Sequence, residues 1–208
     1  DGSSDDTRRV LDQLVALRPG TVTAISLPRN AGKAEAVRQG SLRALAEGAD
    51  VVGFWDADLA TPLDEIPHFE QLLRAQPDID IVIGSRVRLL GSAVDRRPLR
   101  HYLGRGFATA VSVLLDANVY DTQCGAKLFR VTPVTRGLFA TPVLSRWVFD
   151  VELLARYLDA QARLGVDGRQ GIVEVALRVW RDVAGSKLRA HDFLRAGLDL
   201  ARIYRARR

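Results

Sequence analysis

The chain has 208 residues, of which 47% are hydrophobic and 26% charged, as expected for one globular domain with a sizeable core. Its net charge of +5 is uneven, because residues 189–208 contain six Arg against two Asp. A basic end indicates an anionic partner. Basic and aromatic residues do not alternate as on a nucleic-acid platform, so we favour a membrane surface or a phosphate compound over nucleic acid. No apolar run approaches the ~20 residues of a membrane-spanning helix.

Helix and strand patterns alternate in the first half of the chain. Apolar residues at helical spacing predict helices, and short β-branched or apolar runs predict strands. The predicted helices are 5–17, 33–47 and 62–75, and the predicted strands are 21–27, 50–55 and 79–85. This order is typical of a mostly parallel central sheet flanked by helices, which binds ligands at the carboxyl ends of its strands.

The second half is less regular. Helical spacing recurs three times, and two shorter stretches have strand character. The predicted helices are 99–115, 148–164 and 192–205, and the predicted strands are 126–131 and 172–180. The final helix combines an apolar stripe with arginines, so it either packs on the domain or lies on an anionic membrane.

Asp56-Ala57-Asp58 follows the predicted strand 50–55 directly. Two carboxylates two residues apart at the mouth of a strand form a compact set of oxygen ligands. Such a set suits a hard divalent cation, which can in turn hold a diphosphate. The alternative is a solvated acidic turn.

Two further loops lead into helices and offer small or polar residues. The first, residues 1–7, exposes backbone N–H groups and acids, although Ser and Asp there are also good helix caps. In the second, a glycine permits a close turn and a lysine is placed to reach a phosphate, unless the loop is merely polar surface. The candidate ligand-binding residues are Asp1, Gly2, Ser3, Asn30, Gly32 and Lys33.

Several cationic residues follow predicted strand ends. Arg86 ends the strand 79–85 and offers a guanidinium fork to phosphate. Arg96, Arg97, Arg100 and Arg105 come next, and we expect about half of them to be functional, because a charge run is usually a solvated face. The loop after strand 172–180 adds Arg181, Ser186 and Lys187, with a plain strand-to-helix connection as the alternative.

Cys124 is the single cysteine, so the chain has no internal disulfide, as is common in reducing compartments. A nucleophilic role is disfavoured, because the sequence offers no Cys/His/Asp arrangement around it. We expect a small packing residue instead. Asp150, near the start of the predicted helix 148–164, is interpreted as a helix cap.

These stretches, taken in order, resemble the family 2 glycosyltransferases that use a polyprenyl phosphate acceptor. The matching motifs are DGSSDDT, NAGK, DADLATP, GSR, DTQCGAKLF, WVFDVELL and WRDVAGSKL, and they span nearly the whole chain. DTQCGAKLF and WVFDVELL are most similar to the dolichyl-phosphate β-glucosyltransferase branch. The DADL turn and the GSKL ending are shared with dolichyl-phosphate mannosyltransferases.

The resemblance implies an α/β fold of the Rossmann-like GT-A type, in which this chain lacks the first strand. It also implies inverting transfer of a hexose to a polyprenyl phosphate, with Mg²⁺ or Mn²⁺ as cofactor. UDP-glucose is the preferred donor and GDP-mannose the alternative. The expected location is cytoplasmic, at the cytoplasmic face of a membrane. The chain would form one catalytic domain, with a nucleotide-sugar half, 1–90, and an acceptor half, 91–208.

The same resemblance implies roles for individual residues. Asp56 and Asp58 would hold the metal and, together with Arg86, form the catalytic group. Some mannosyltransferase relatives have a Gln metal ligand where this chain has Ala60, so the metal shell would depend on two carboxylates, the diphosphate and water. The implied donor-binding residues are Asp1, Gly2, Ser3, Asn30, Gly32, Lys33, Asp56, Ala57 and Asp58. The implied acceptor- or phosphate-binding residues are Arg86, Arg100, Arg181, Ser186 and Lys187.

Two other hypotheses stay open. A haloacid-dehalogenase-type phosphatase also has a DxD motif after a strand, but it requires Thr or Val at the position of Ala60 and a further acidic pair. A truncated nucleotide-sugar-binding module without turnover is the non-enzymatic alternative, because the N-terminal strand and loop of the relatives are expected to be missing.

Overall fold

The computed structural model describes residues 1–91, 93–94, 98–181 and 190–207, with no side-chain description for 98–105 and 190–194. The first part of the chain alternates helices with strands, as predicted. Its elements are α1 (Thr7–Leu17), α2 (Lys33–Ala46), β1 (Val51–Trp55), a 3₁₀ turn (Leu63–Glu65), α3 (Ile66–Ala75) and β2 (Ile81–Ser85).

The second part contains more elements than the sequence pattern predicts. A Thr132–Thr135 capping box starts a short helix there, with proline in its first turn. The elements are β3 (Ala93–Val94), α4 (Pro98–Leu115), β4 (Ala126–Arg130), α5 (Pro133–Gly137), α6 (Phe149–Arg163), a 3₁₀ turn (Gly168–Gly171), β5 (Ile172–Ala176), β6 (Val179–Trp180) and α7 (Ala190–Ala206).

The central sheet has the strand order β1-β4-β2-β5. β4 is antiparallel to both of its neighbours, whereas β2 and β5 are parallel. Three of the four strands therefore run in one direction, which agrees with a mostly parallel sheet. The insertion of β4 between β1 and β2 is not apparent from the element order.

Residues 21–27 do not form the predicted strand. The side chains of residues 21–25 alternate between exposed and half-buried, but no described strand pairs with this stretch. A strand needs a hydrogen-bonding partner, and local propensity alone does not supply one. The adjacent helix α1 likewise buries none of its residues.

The predicted strand 172–180 is divided into β5 and β6. The backbone N–H of Leu177 still donates to Ser85 of β2, at 2.9 Å, but the next carbonyl, that of Arg178, accepts from Ala93 instead. The chain thus changes partner at Leu177, from β2 in the central sheet to β3 in a two-stranded sheet. Just beyond β6, the N–H of Arg181 donates to the carbonyl of Ala60, two residues after Asp58.

Two apolar cores cover the two faces of the central sheet. Ile81 and Ile83 face one core, which α2, α4, α6 and α7 help to build, and Val82 faces the other, which α3 completes. Alternation of successive side chains between the two faces produces this division. Within α7, Ala196, Leu200 and Ile203 are buried, so the final helix packs on the domain.

Strands from both predicted halves form the central sheet, since β1 and β2 precede residue 91 and β4 and β5 follow it. The functional division at 90/91 stays a prediction. Within the described residues, no helix has the combination of length and apolarity that crossing a bilayer requires.

Candidate active site

The Asp56-Ala57-Asp58 turn is tied to the neighbouring strand through its backbone. The N–H of Asp56 donates to the carbonyl of Gly125, just before β4, at 2.8 Å. Leu59 has φ of +54° and donates its N–H to the carbonyl of Asp56, which closes a tight turn. The turn therefore lies at the carboxyl end of β1, as the sequence predicted.

Gly125 leaves room for the carboxylate of Asp56. A Cβ at Gly125 would overlap all three atoms of that carboxylate group. A glycine is therefore required at this position of the 121–129 motif, because any side chain here would displace the carboxylate of Asp56.

Asp58 is exposed, and its Oδ1 accepts a hydrogen bond from the N–H of Ala60 at 3.0 Å. The side chain is held in place but still presents a carboxylate to solvent. Ala60 itself is buried, and its carbonyl accepts from the N–H of Arg181 at 3.0 Å. The predicted cationic loop therefore begins beside the DxD turn.

Lys33 and Asp56 meet as an ion pair, although they are 23 residues apart. The Lys33 ammonium also lies 5.9 Å and 5.7 Å from the ring centres of Phe54 and Phe149. Aromatic faces and a carboxylate together fix its position. The structure thus brings two predicted site loops, the one before α2 and the DxD turn, into direct contact.

The first residues of the chain contact the loop before α2. The carbonyl of Asp1 accepts from Ala31 at 2.9 Å, and the side chain of Asn30 donates to that of Asp1 at 3.4 Å. Gly2 has φ of +82°, and a Cβ there would overlap the backbone of Arg29. The hydroxyl of Ser3 donates to Asp1 at 2.7 Å. Asp1, Gly2 and Ser3 therefore belong to this cluster of loops.

The start of α1 lies further along the chain, at residues 5–7. The side chain of Asp5 accepts from the N–H of Thr7 at 3.0 Å, and hydrogen bonds from the side chain and then the backbone of Thr7 lower the pKa of Asp5. The N-cap residue of α1 is Asp6, whose side chain makes no capping hydrogen bond, so the capping interpretation does not apply to the first three residues.

Arg86 is held by Asp121 in a bidentate ion pair. Its Nε and Nη2 donate to the two carboxylate oxygens at 2.6 and 2.7 Å, and its guanidinium lies 5.6 Å from the centre of the Trp180 ring. Burial by itself lowers the pKa of Arg86, but the hydrogen bonds and charge of Asp121 outweigh it, so the pKa is raised. The guanidinium is therefore permanently charged, and its orientation is fixed.

Glu174 of β5 fixes the segment that carries Asp121. Its carboxylate accepts from the backbone N–H groups of Tyr120 and Asp121, at 2.8 and 2.6 Å. The chain of contacts from β5 to Arg86 is thus continuous.

The other predicted phosphate ligands are only partly described. Arg181 is exposed at the end of β6, next to the DxD turn, whereas Arg100 lies on α4 in the stretch without side-chain description. Ser186 and Lys187 lie outside the described residues. Their roles stay predictions.

Cys124 is fully buried next to the site. Burial and the negative charge of Asp121 raise the pKa of the thiol to about 11. A thiol in this state is not a nucleophile at neutral pH, which agrees with the expected packing role.

Sequence reasoning missed two cationic residues of this region. Lys127 is buried in β4 and pairs with Asp150, which is therefore an ion-pair partner and not the expected helix cap. Arg146 lies over the loop before α2 and contacts Asn30. Lys127 lies within the 121–129 motif and Arg146 directly precedes WVFDVELL, but the sequence pattern assigns neither side chain a role.

The oxygen-rich turn offers two candidate carboxylate ligands for a divalent cation that would be shared with a bound molecule. The space left by Gly125 accommodates the Asp56 carboxylate, and Asp58 presents a second one. Among the described residues, no group of three or more His, Cys, Asp and Glu side chains is placed to hold a metal. Two carboxylates leave positions for diphosphate oxygens and water, as hard cations such as Mg²⁺ prefer.

Comparison with known proteins finds relatives whose names agree with one another. The glycosyl transferase family 2 model matches residues 1–137. A dolichyl-phosphate beta-glucosyltransferase of Trichomonas vaginalis is 33% identical over 207 residues, which cover 98% of this chain and 57% of that protein. The Drosophila melanogaster protein of the same name is 38% identical over 189 residues, which cover 88% of this chain and 54% of the relative. The chain thus spans a little over half the length of these relatives.

Solved structures agree on the fold. The glucosyl-3-phosphoglycerate synthase of Mycobacterium tuberculosis, in a complex with Mn²⁺ and UDP-glucose, superposes with a TM-score of 0.62 at 22% identity. The match covers 99% of this chain and 65% of the other. At this identity the likeness establishes the fold, which is the predicted GT-A type.

Proposed function

The chain belongs to glycosyltransferase family 2, and on that premise we propose that it transfers glucose from UDP-glucose to a polyprenyl phosphate with inversion. The observation that carries the proposal is the contact between Lys33 and Asp56, which joins the loop before α2 to the DxD turn. Together these loops offer oxygen ligands and a cation at one sheet edge. The names of the Trichomonas and Drosophila relatives favour glucose as the sugar.

The donor is held at the DxD turn. Asp56 and Asp58 would be the protein ligands of Mg²⁺ or Mn²⁺, and Lys33 would contact the diphosphate. A divalent cation bound there would neutralise the charge that develops on the departing nucleoside diphosphate. Asp1, Gly2, Ser3 and Asn30 would line the nucleoside end of the same pocket, with Ala57 between the two carboxylates.

The acceptor phosphate requires neutralisation of its negative charge more than removal of a proton. A phosphate monoester has a second pKa of about 6, so its oxygen is already anionic near neutral pH and needs no strong general base. Arg86, held rigid by Asp121, and Arg181, beside Ala60, would offset its charge. The phosphate oxygen forms the new bond to the anomeric carbon as the bond to the diphosphate breaks, and the product is a β-linked polyprenyl-phosphate sugar.

The outer face of α7 suits an acidic membrane surface, where a lipid acceptor would be available. Leu198 is 63% exposed, and the cationic Arg195, Arg202 and Arg205 are exposed with it, while Leu200 and Ile203 face the core. An exposed apolar group flanked by arginines is typical of a helix lying at a lipid interface. We expect the variant Leu198→Glu to reduce co-sedimentation with phosphatidylserine vesicles, and an unchanged bound fraction would contradict this role. The expected cytoplasmic side of that membrane stays a prediction.

The transfer reaction is tested with Asp58→Asn. Asparagine keeps an oxygen acceptor for the N–H of Ala60 but removes the charge. With UDP-glucose, Mn²⁺ and a short polyprenyl phosphate, we expect the variant to lose at least 100-fold in rate, since one charge-stabilising group is typically worth that much. Asp64→Asn, at an exposed acid in the following 3₁₀ turn, is the matched control. Near-normal metal-dependent transfer by Asp58→Asn would remove Asp58 from the mechanism.

The donor is identified in the same assay with GDP-mannose in place of UDP-glucose. Transfer from GDP-mannose alone would show that the sugar is wrong while the reaction class is right. Binding of UDP-glucose without turnover on any polyprenyl phosphate would instead indicate a binding module. Phosphate release without sugar transfer would favour the phosphatase hypothesis.

A further inference from the structure

Arg146 lies over the loop that precedes α2. Its Nη2 donates to the backbone carbonyl and to the side-chain oxygen of Asn30, at 3.3 Å each. A Cβ at Gly32 would lie only 2.9 Å from the Nε of Arg146, so the glycine lets the guanidinium approach the loop closely. Lys33, the next residue, is paired with Asp56. A second cation therefore contacts the loop that carries Lys33, although Arg146 is 116 residues away from Asn30 in sequence.

The backbone around Arg146 is fixed by buried polar groups. The hydroxyl of Ser145 accepts from the N–H groups of Trp147 and Val148, at 3.1 and 2.9 Å, and donates to Asp199 of α7 at 2.7 Å. The carboxylate of Glu152, which is 2% exposed, accepts from the N–H of Ser145 at 3.3 Å. This anchored turn fixes the backbone of Arg146 beside the loop before α2.

The charge of Arg146 is not compensated within the described part of the chain, where no carboxylate lies within ion-pair distance of it. Arg86 and Lys33, in contrast, each have an aspartate. The bonds from Arg146 to Asn30 are long and involve neutral acceptors, whereas a phosphate would offer shorter, charge-assisted ones. The guanidinium is therefore better matched to an anion than to its present partners.

Charge balance at the proposed donor site requires another cation. Asp56 and Asp58 contribute two negative charges, and the diphosphate of a nucleotide sugar contributes two more. Lys33 and a divalent cation offset three of these four charges. We propose that Arg146 binds the diphosphate of the nucleotide sugar and supplies the remaining positive charge; this inference rests on the proposed function.

Calorimetry on the 208-residue chain tests the role. Arg146→Gln keeps a hydrogen-bond donor for Asn30 but removes the charge, and Arg146→Lys keeps the charge but loses the fork. The matched control is Arg163→Gln, an exposed arginine in the last turn of α6, at the other end of the helix that follows Arg146. The probes are UDP and uridine, each with Mn²⁺.

We expect Arg146→Gln to raise the Kd for UDP about 10- to 100-fold, which is typical for loss of a hydrogen bond to a charged group, with Lys intermediate. The Kd for uridine should not change, and the control should bind both probes like the parent chain. Unchanged UDP binding in Arg146→Gln would overturn the inference. An equal loss for UDP and uridine would also overturn it, because Arg146 would then only clamp the Asn30 loop.

If the proposed function itself is wrong, the calorimetry gives a different result from the one that would overturn the role of Arg146 alone. A parent chain that binds neither UDP nor GDP would refute the donor site itself, and the role of Arg146 with it. A parent chain that binds GDP and not UDP would refute only the choice of UDP-glucose. GDP and guanosine then replace the two probes, and the same comparison of variants supports or overturns the role of Arg146.

Discussion

The ammonium of Lys127 lies 2.6 Å from the Oδ1 of Asp150, and the two side chains are only 1% and 5% exposed. This pair joins β4 to α6 beneath the DxD turn. The same ammonium donates to the carbonyl of Cys124 at 2.5 Å and lies 5.2 Å from the centre of the Phe54 ring. Since Gly125 accepts the N–H of Asp56, the buried pair supports the DxD turn through β4.

Replacement of Lys127 by methionine would leave the Asp150 carboxylate buried without a cation. We expect the free energy of unfolding to fall by about 3–5 kcal/mol, as is typical when one partner of a buried pair is removed. The double variant Lys127→Met/Asp150→Leu should be more stable than Lys127→Met alone, because it removes the unpaired charge. Urea denaturation of both variants measures the difference. A double variant that is the less stable of the two would show that packing, and not charge, dominates here.

Gly125→Ala tests the space reserved for Asp56. The added methyl group would displace the carboxylate, so we expect weaker Mn²⁺-dependent binding of UDP-glucose with the fold retained. Gly40→Ala is the matched control, because a Cβ at Gly40 in α2 meets no atom within 4 Å. It should bind normally and unfold at slightly higher temperature, since alanine favours helices by about 1 kcal/mol over glycine. Calorimetry measures donor binding, and thermal unfolding measures stability. Equal donor binding by the two variants would contradict a steric role for Gly125.

Arg86 and Asp121 should be strongly coupled in a double-mutant cycle. Each single change, Arg86→Met or Asp121→Asn, removes the same bidentate pair, so the effects on unfolding free energy should not add. We expect a coupling energy above about 1 kcal/mol. The exposed pair of Arg43 and Glu47 in α2 is the reference, where about 0.3–0.5 kcal/mol is typical. Similar coupling in the two cycles would mean that burial adds nothing to the Arg86 pair.

Sequence-based inference is more accurate for features that depend on neighbouring residues than for contacts between residues far apart in the chain. The DxD turn and Arg86 stand directly at the ends of strands, so hydrophobic patterns were enough to locate them. Arg146 meets Asn30 across 116 residues of sequence, and such long-range contacts leave no periodic signal. Residues 21–27 show the converse, a strand-like pattern that lacks a partner. The positions of the DxD turn and Arg86 in the fold were therefore predictable, because chain direction fixes them. Contacts that depend on packing, such as that of Arg146, were not.

Glu35 provides a prediction on acid stability. Hydrogen bonds from Arg38, followed by one from Gln39, lower the pKa of its carboxyl group from 4.5 to about 2. A carboxyl group with a depressed folded-state pKa stabilises the fold above its unfolded-state pKa, and this stabilisation is lost as the pH falls through the folded-state value. The contribution of Glu35 is thus complete above about pH 5 and declines between pH 4.5 and 2. Unfolding free energies of the parent chain and Glu35→Gln should converge across that interval, whereas a constant difference between them would exclude Glu35 as the titrating group.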